Sequence, residues 1–229
     1  MLALEEYFGD WMKVIDKKEF NSILRKAGYL YKIKSLCPEQ KDVFKAFNLC
    51  KYEDCKCVFI GMDPYNDLYE NKPRATGILF GNNKNVIDSK LSPSLKIIKD
   101  SCINLHIPHN CIIFDPSLES WAKQGILMLN SSLTVETGKA GSHTMLWRPF
   151  ISGFLERFSQ INTGIVYVLF GNTAHTLKPY IGRYNDVLEI EHPAYYARIH
   201  KEMPSELFYR INSILKARYG NIINWYKEI

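Results

Sequence analysis

The chain lacks the features that would place it in several large classes. No uninterrupted apolar stretch approaches the roughly 20 residues that a membrane-spanning helix needs, so no membrane association is expected. The opening Met-Leu-Ala-Leu-Glu-Glu-Tyr carries early acids and no cationic segment ahead of an apolar core, unlike a secretory signal. A cytoplasmic protein, or a nuclear one if the source is eukaryotic, is the expectation. Internal repeats, low-complexity tracts and Pro-rich linkers are missing, which argues against solenoids and strings of modules. Six cysteines, at 37, 50, 55, 57, 102 and 111, are scattered through 229 residues, and a chain of this size has no need of disulfides. Cys50, Cys55 and Cys57 form the most suggestive group for zinc or an iron–sulfur cluster. However, no second close pair supplies a fourth ligand, and Cys57 falls where a strand begins. They read as core or near-surface thiols, and no metal is expected. Charge of one sign is also in short supply. The 29 Lys and Arg exceed the 24 Asp and Glu by a net +5, a mild bias toward a polyanion that does not separate DNA binding from ordinary solubility.

At 229 residues and 46% hydrophobic, the chain can bury one substantial core, and a single domain over 1–229 is expected. Residues 2 to 50 read as a helical amino-terminal region, with Phe20, Ile23, Leu24 and Leu30 among Lys and Glu, packed outside a sheet. Apolar runs at 56–61, 126–129, 165–170 and 187–190 read as buried strands, and the segments between them are long enough for helices. That rhythm predicts a mainly parallel α/β sheet. Segments 71–76 and 138–143 read as exposed loops.

Each strand is followed by residues with chemistry. Val58 to Asn66 (VFIGMDPYN) runs an apolar strand into Asp63, Pro64 and Tyr65, and Pro64 cannot continue a ladder. Asn130 follows the second strand, Gly171 and Asn172 the third, and His192 and Pro193 the fourth. In open α/β folds these carboxyl-side junctions share one edge, where ligands bind. Taken singly, Asp63 reads equally as a turn residue, Asn130 as a turn cap, Phe80 as core and His192 as a satisfied loop histidine.

Taken together, ordered segments make the chain resemble the uracil-DNA glycosylase family, in the branch typified by the bacterial and human enzymes. GMDPYN at 61–66 resembles that family's water-activating GQDPYH loop, and SPSL at 92–95 its Pro- and Ser-containing phosphate loop. GILMLNSSLTV at 125–135 is similar to GVLLLNTVLTV, and VLFG at 168–171 to LLWG. Ser142, His143 and Trp147 match the family's Ser, His and Trp. His192 and Pro193 stand where its HPSPLS minor-groove loop begins, and Ile223, Asn224 and Trp225 echo its ending. The resemblance spans roughly residues 50 to 225. It implies a three-layer α/β/α fold around a central four-stranded, mainly parallel sheet.

It also implies roles. Asp63 would orient the attacking water and stabilise an oxocarbenium-like sugar, while His192 would bind uracil O2 and stabilise the departing anion. Asn130 would read N3–H and O4, Phe80 would stack on the flipped base, and Tyr65 would crowd C5 against thymine's methyl. Main-chain N–H groups near Met62 and Asp63 would contact the base. Ser94, Ser142 and His143 would contact DNA, with Tyr196 as the intercalating wedge and Arg198 on a phosphate. Single- and double-stranded uracil-containing DNA would be the substrate, a proteinaceous glycosylase inhibitor a further partner, the chain a monomer, and no cofactor required.

The chain departs from the pattern in two loops. Met62 replaces Gln, Asn66 replaces His, and about four extra residues separate Asn66 from Gly77. In the minor-groove loop, His192-Pro193-Ala194-Tyr195-Tyr196-Ala197 stands in place of HPSPLS. Two alternatives follow: a preference shifted to a modified uracil, or a DNA-binding, replication-associated module with weakened chemistry.

Overall fold

The computed structural model describes residues 7–103 and 112–228. At its centre is a four-stranded sheet, parallel throughout, formed by β1 (Cys57–Gly61), β2 (Ile126–Asn130), β3 (Val166–Phe170) and β4 (Asp186–Ile190). β1, β2 and β3 are buried along their whole length, as parallel strands covered on both faces must be. β4, which carries Asp186 and Glu189, lies at one edge of the order β2-β1-β3-β4. These bounds agree with the apolar runs, except that Asn130 is the last residue of β2 instead of the first beyond it.

The helices are α1 (Lys17–Ile33), α2 (Pro93–Ile103), α3 (Thr144–Ile161), α4 (Pro193–Arg198) and α5 (Glu206–Tyr219), with single turns between. Because successive strand side chains point to opposite faces, the interior divides into two cores. Val58, Ile60, Leu127, Leu129, Tyr167 and Leu169 pack with α3. Phe59, Met128, Val168 and Phe170 pack with α2, α5 and Trp225. The inward residues of α3 recur at steps of three and four: Trp147, Phe150, Ile151, Phe154, Leu155 and Phe158. Phe154 and Phe158 stack with centroids 5.7 Å apart. Each such buried ring contributes roughly 2–3 kcal/mol from transfer alone.

The amino-terminal region is helical as expected, but not throughout. α1 starts at Asp16, whose side chain accepts the Glu19 N–H at 2.7 Å and so satisfies a donor that the first turn leaves open. It packs on α3, and Trp11 fastens the region by donating its indole N–H to the carbonyls of Phe47 (3.1 Å) and Cys50 (2.8 Å). Leu36–Cys37 leaves the helical pattern and pairs antiparallel with Val135–Glu136. Residues 2–6 and Cys111 lie outside the described residues. Cys37, Cys50, Cys55, Cys57 and Cys102 are buried free thiols.

The extra residues after Asn66 form a small hairpin, Leu68–Tyr69 against Lys72–Pro73, where the sequence suggested an exposed loop. Its turn residues Glu70 (φ 50°) and Asn71 (φ 62°) are both left-handed, the geometry that suits the twist of a two-residue hairpin. Ala75 is buried behind it. Among the described residues, no helix is long and apolar enough to cross a membrane.

Gly77, four residues past the hairpin, is held at φ +79°, and a Cβ there would lie 1.8 Å from the Asp42 carbonyl oxygen. Gly77→Ala is therefore expected to destabilise the fold by about 3 kcal/mol or more in urea denaturation, through clash and backbone strain together.

Candidate active site

The loop after β1 crosses the loop after β2, and hydrogen bonds lock them together. Gly61 O accepts from Ser131 N at 2.9 Å, while Met62 O accepts from Ser132 N (3.1 Å) and Ser131 Oγ (2.8 Å). Gly61 pairs with Asn130 across the sheet. A Cβ on Gly61 would sit 2.3 Å from Leu79 Cδ1 and 3.0 Å from Asn130 Oδ1, so only Gly lets the amide and Leu79 approach the strand end.

Asp63 follows at once. Its Oδ2 accepts the Gly141 N–H, and its Oδ1 is buried without a partner among the described residues. Burial raises the carboxyl pKa above its ordinary value, and the Gly141 N–H partly offsets that rise. Asn130 likewise has a buried, unpartnered Oδ1. Such groups inside a fold call for a ligand or a water.

The aromatic wall rests on a hydroxyl network that sequence reading missed. Tyr65 OH donates to Phe80 O (3.1 Å) and accepts from Ser92 Oγ (2.6 Å). Asn82 Oδ1 accepts from Ser92 N (2.8 Å), while Asn82 Nδ2 donates to Ser92 Oγ (3.1 Å). Phe80 itself is held at φ +61°, a left-handed conformation that costs a non-Gly residue about 1 kcal/mol. Its carbonyl is thereby turned toward Tyr65 and Asn82. A sequence signal for Ser92 did exist, since Ser before Pro at the start of a helical run is a capping pattern.

His192 enters from the opposite side as the cap of α4. Its Nδ1 accepts the Ala194 N–H at 3.1 Å, so the neutral ring carries its proton on Nε2. Burial lowers its pKa and favours that neutral form. Its ring meets Phe80 edge-on at 5.4 Å. Gly171, at φ +80°, makes room, because a Cβ there would lie 2.9 Å from His192 Cβ.

Asp63, Tyr65, Phe80, Asn130 and His192 all line one cavity of about 310 Å³, together with Met62, Asn66 and Ser94. The remaining expected residues lie elsewhere. Ser142 is exposed beside this site, and its Oγ accepts the Glu136 N–H. His143 is buried, with Nδ1 on Thr134 Oγ1 (2.9 Å). Thr134 in turn accepts the Trp147 indole N–H, so the 138–143 segment is exposed only up to Ser142. Tyr196 packs against the core, whereas Tyr195 is 38% exposed with the Arg198 guanidinium 5.7 Å over its ring.

A carboxylate, an amide, two aromatic rings and an imidazole around one strand-end cavity define an α/β protein built to hold a planar polar ligand. A model of the Uracil DNA glycosylase superfamily matches residues 47–216. The chain is 36% identical over 197 residues to the uracil-DNA glycosylase of Mycoplasmopsis pulmonis, covering 85% of each. It is 32% identical over 222 residues to that of Aliarcobacter butzleri, covering 96% of this chain and 94% of the relative. In fold it is similar to a mimivirus UNG variant crystallised in complex with UGI, with TM-score 0.79 and 23% identity, covering 96% of this chain and 87% of that one. The chain belongs to the uracil DNA glycosylase superfamily.

A carboxyl whose pKa is higher in the fold than in the unfolded chain holds its proton more tightly when folded. Its penalty on folding is absent in acid and complete above the folded pKa. Asp63→Asn, whose amide oxygen can keep the Gly141 bond, is therefore expected to raise Tm near neutral pH. The gain should disappear toward roughly pH 3, where both states are protonated; thermal scans across pH would check this.

Proposed function

We propose that this chain is a monofunctional uracil-DNA glycosylase, which flips uracil from DNA and hydrolyses its N-glycosidic bond to leave an abasic site. The observation that carries this reading is the convergence of Asp63, Asn130, Phe80 and a neutral His192 on one cavity, in a chain of this superfamily. A base must leave the stack before such a cavity can hold it. Cleavage then develops positive charge on the sugar and negative charge on the base, so a carboxylate and hydrogen-bond donors are needed on opposite sides.

Asp63 supplies the carboxylate. Its partnerless Oδ1 orients the attacking water and faces the developing oxocarbenium charge. His192 supplies the donor, because its Nδ1 is occupied and Nε2–H is left for uracil O2. The Asn130 amide accepts from N3–H and donates to O4, whereas cytosine presents the reverse pattern at those atoms. Phe80 stacks on the base. Tyr65, held at its hydroxyl by Ser92 and Phe80 O, is a wall that cannot swing away from a methyl at C5. Backbone N–H groups at Met62 and Asp63 add contacts that survive the loss of a Gln side chain.

On the DNA side, Ser94, Ser142 and Arg198 position phosphates. His143 supports its turn through Thr134, with its other ring nitrogen left for DNA. The exposure of Tyr195 supports it, in place of Tyr196, as the wedge that fills the vacated stack. Single- and double-stranded DNA are both substrates, and an inhibitor protein resembling the mimivirus enzyme's partner would compete for this face.

Single-turnover release of base from uracil-, modified-uracil- and thymine-containing oligonucleotides tests the reading. Uracil is expected to be released and thymine retained, with Asp63→Asn about 10³-fold slower; undiminished release by that variant would overturn the mechanism. Tyr195→Ala should weaken duplex excision far more than single-strand excision. Tyr196→Ala should instead act through stability, which a paired Tm measurement would separate.

A further inference from the structure

Asp63 receives one hydrogen bond from the described residues, and its donor is neither a side chain nor a near neighbour in sequence. The Gly141 N–H comes from the turn that links Val135–Glu136 to α3. The turn's own bonds are Lys139 N to Glu136 O (2.9 Å), Ser142 N to Lys139 O (3.2 Å) and Glu136 N to Ser142 Oγ (2.9 Å). Gly138 N also donates to Asn66 O at 2.8 Å. Residues 136–142 are all exposed or half-exposed, so little apolar packing fixes the turn.

To these bonds the Glu136 side chain adds two ion pairs. Its Oε1 takes the Lys139 ammonium at 2.5 Å, inside the turn, and its Oε2 takes the Lys34 ammonium at 2.5 Å, from the end of α1. The same junction is sewn by Ser35 Oγ to Thr137 Oγ1 (2.9 Å), Thr137 N to Ser35 O (3.0 Å), and the Leu36–Glu136 strand pairing. The two ammonium groups hold the Glu136 carboxyl down at about 2, so it stays ionised wherever the enzyme would work.

We propose that Glu136 is a positioning residue for Asp63. By bridging Lys34 and Lys139, it clamps the turn that delivers the Gly141 N–H, and so sets the orientation of the carboxylate. The amino-terminal region thereby reaches the reaction centre without lining it. The inference rests on the proposed role of Asp63 as an ionised group. The other titratable groups that line the cavity with Asp63 are Tyr65, on its own loop, and His192, on α4, whose ring is neutral. On the turn side are Lys139, paired to Glu136, and His143, buried on Thr134.

The sign of the effect distinguishes positioning from plain electrostatics. Removing the Glu136 charge leaves Lys34 and Lys139 uncompensated, which by charge alone would lower the Asp63 pKa. Loosening the Gly141 bond would raise it, because a donor to the ionised form has been lost.

The test is the titration of the Asp63 carboxyl carbon by NMR, assigned by its disappearance in Asp63→Asn, in parallel with single-turnover pH profiles. Glu136→Gln is expected to move that titration upward by about half a pH unit or more, against the sign that charge alone predicts, and the milder Lys34→Met, where the lost charge acts in the same direction as the lost clamp, upward as well. The acid limb of excision should move with it, and the plateau rate should fall about tenfold with substrate affinity little changed. An unmoved or lowered titration in Lys34→Met, with Tm reduced or not, would overturn the proposal even if Glu136→Gln fails to fold. A wild type that released no uracil would defeat the glycosylase reading instead, while the carboxyl titration would still report on the clamp.

Discussion

A carboxyl group buried in a cavity with mostly apolar walls is the constraint around which this structure is arranged. Water favours the charge and burial opposes it, so the protein can keep Asp63 charged and available only with a limited, directed supply of hydrogen bonds. One backbone N–H, from Gly141, meets that need at one oxygen and leaves the other open. The donor sits on a segment 78 residues away in sequence, so the loop after β1, the turn before α3 and the junction with α1 have to be in register.

The opposite wall is built by the same economy of polar groups. Ser92 and Asn82 satisfy each other, and together they hold Tyr65 and the carbonyl of a left-handed Phe80. Every polar atom spent there fixes an aromatic surface, while the unpartnered amide oxygen of Asn130 and the Nε2 of His192 stay free for a ligand. Gly61 and Gly171 are needed for the same reason: a methyl at either would push Leu79 and Asn130, or His192, away from the cavity. The site is stiff where it shapes a ligand and unsatisfied where it would bind one.

Much of this was legible along the chain. Continuous apolar runs marked β1, β2 and β3, because strands covered on both faces tolerate no charge in their middle. Parallel strands put their carboxyl ends on one edge, so residues at or just past the ends of separate strands, Asp63, Asn130 and His192, could be expected together, and they do line one cavity. The register of the minor-groove loop was less legible. Along α4 the two adjacent tyrosines differ only in which faces the core, and packing against α2 turned Tyr196 inward and left Tyr195 outside. The residues after Asn66 read as loop because a two-residue hairpin leaves too short an alternation to detect, and its turn, Glu70-Asn71, lacks the usual Gly.

The sequence by itself determined the class of fold, the strand ends at which the site lies and the identity of the groups that meet there, since burial periodicity and side-chain chemistry are local properties. Tertiary structure alone decided which atoms of those groups remain free. The Gly141 donor, the Ser92–Asn82 support, the tautomer of His192 and the Glu136 clamp each depend on a contact between distant segments. A one-dimensional pattern cannot show such contacts, because a backbone N–H has no residue type and an ion pair has no period.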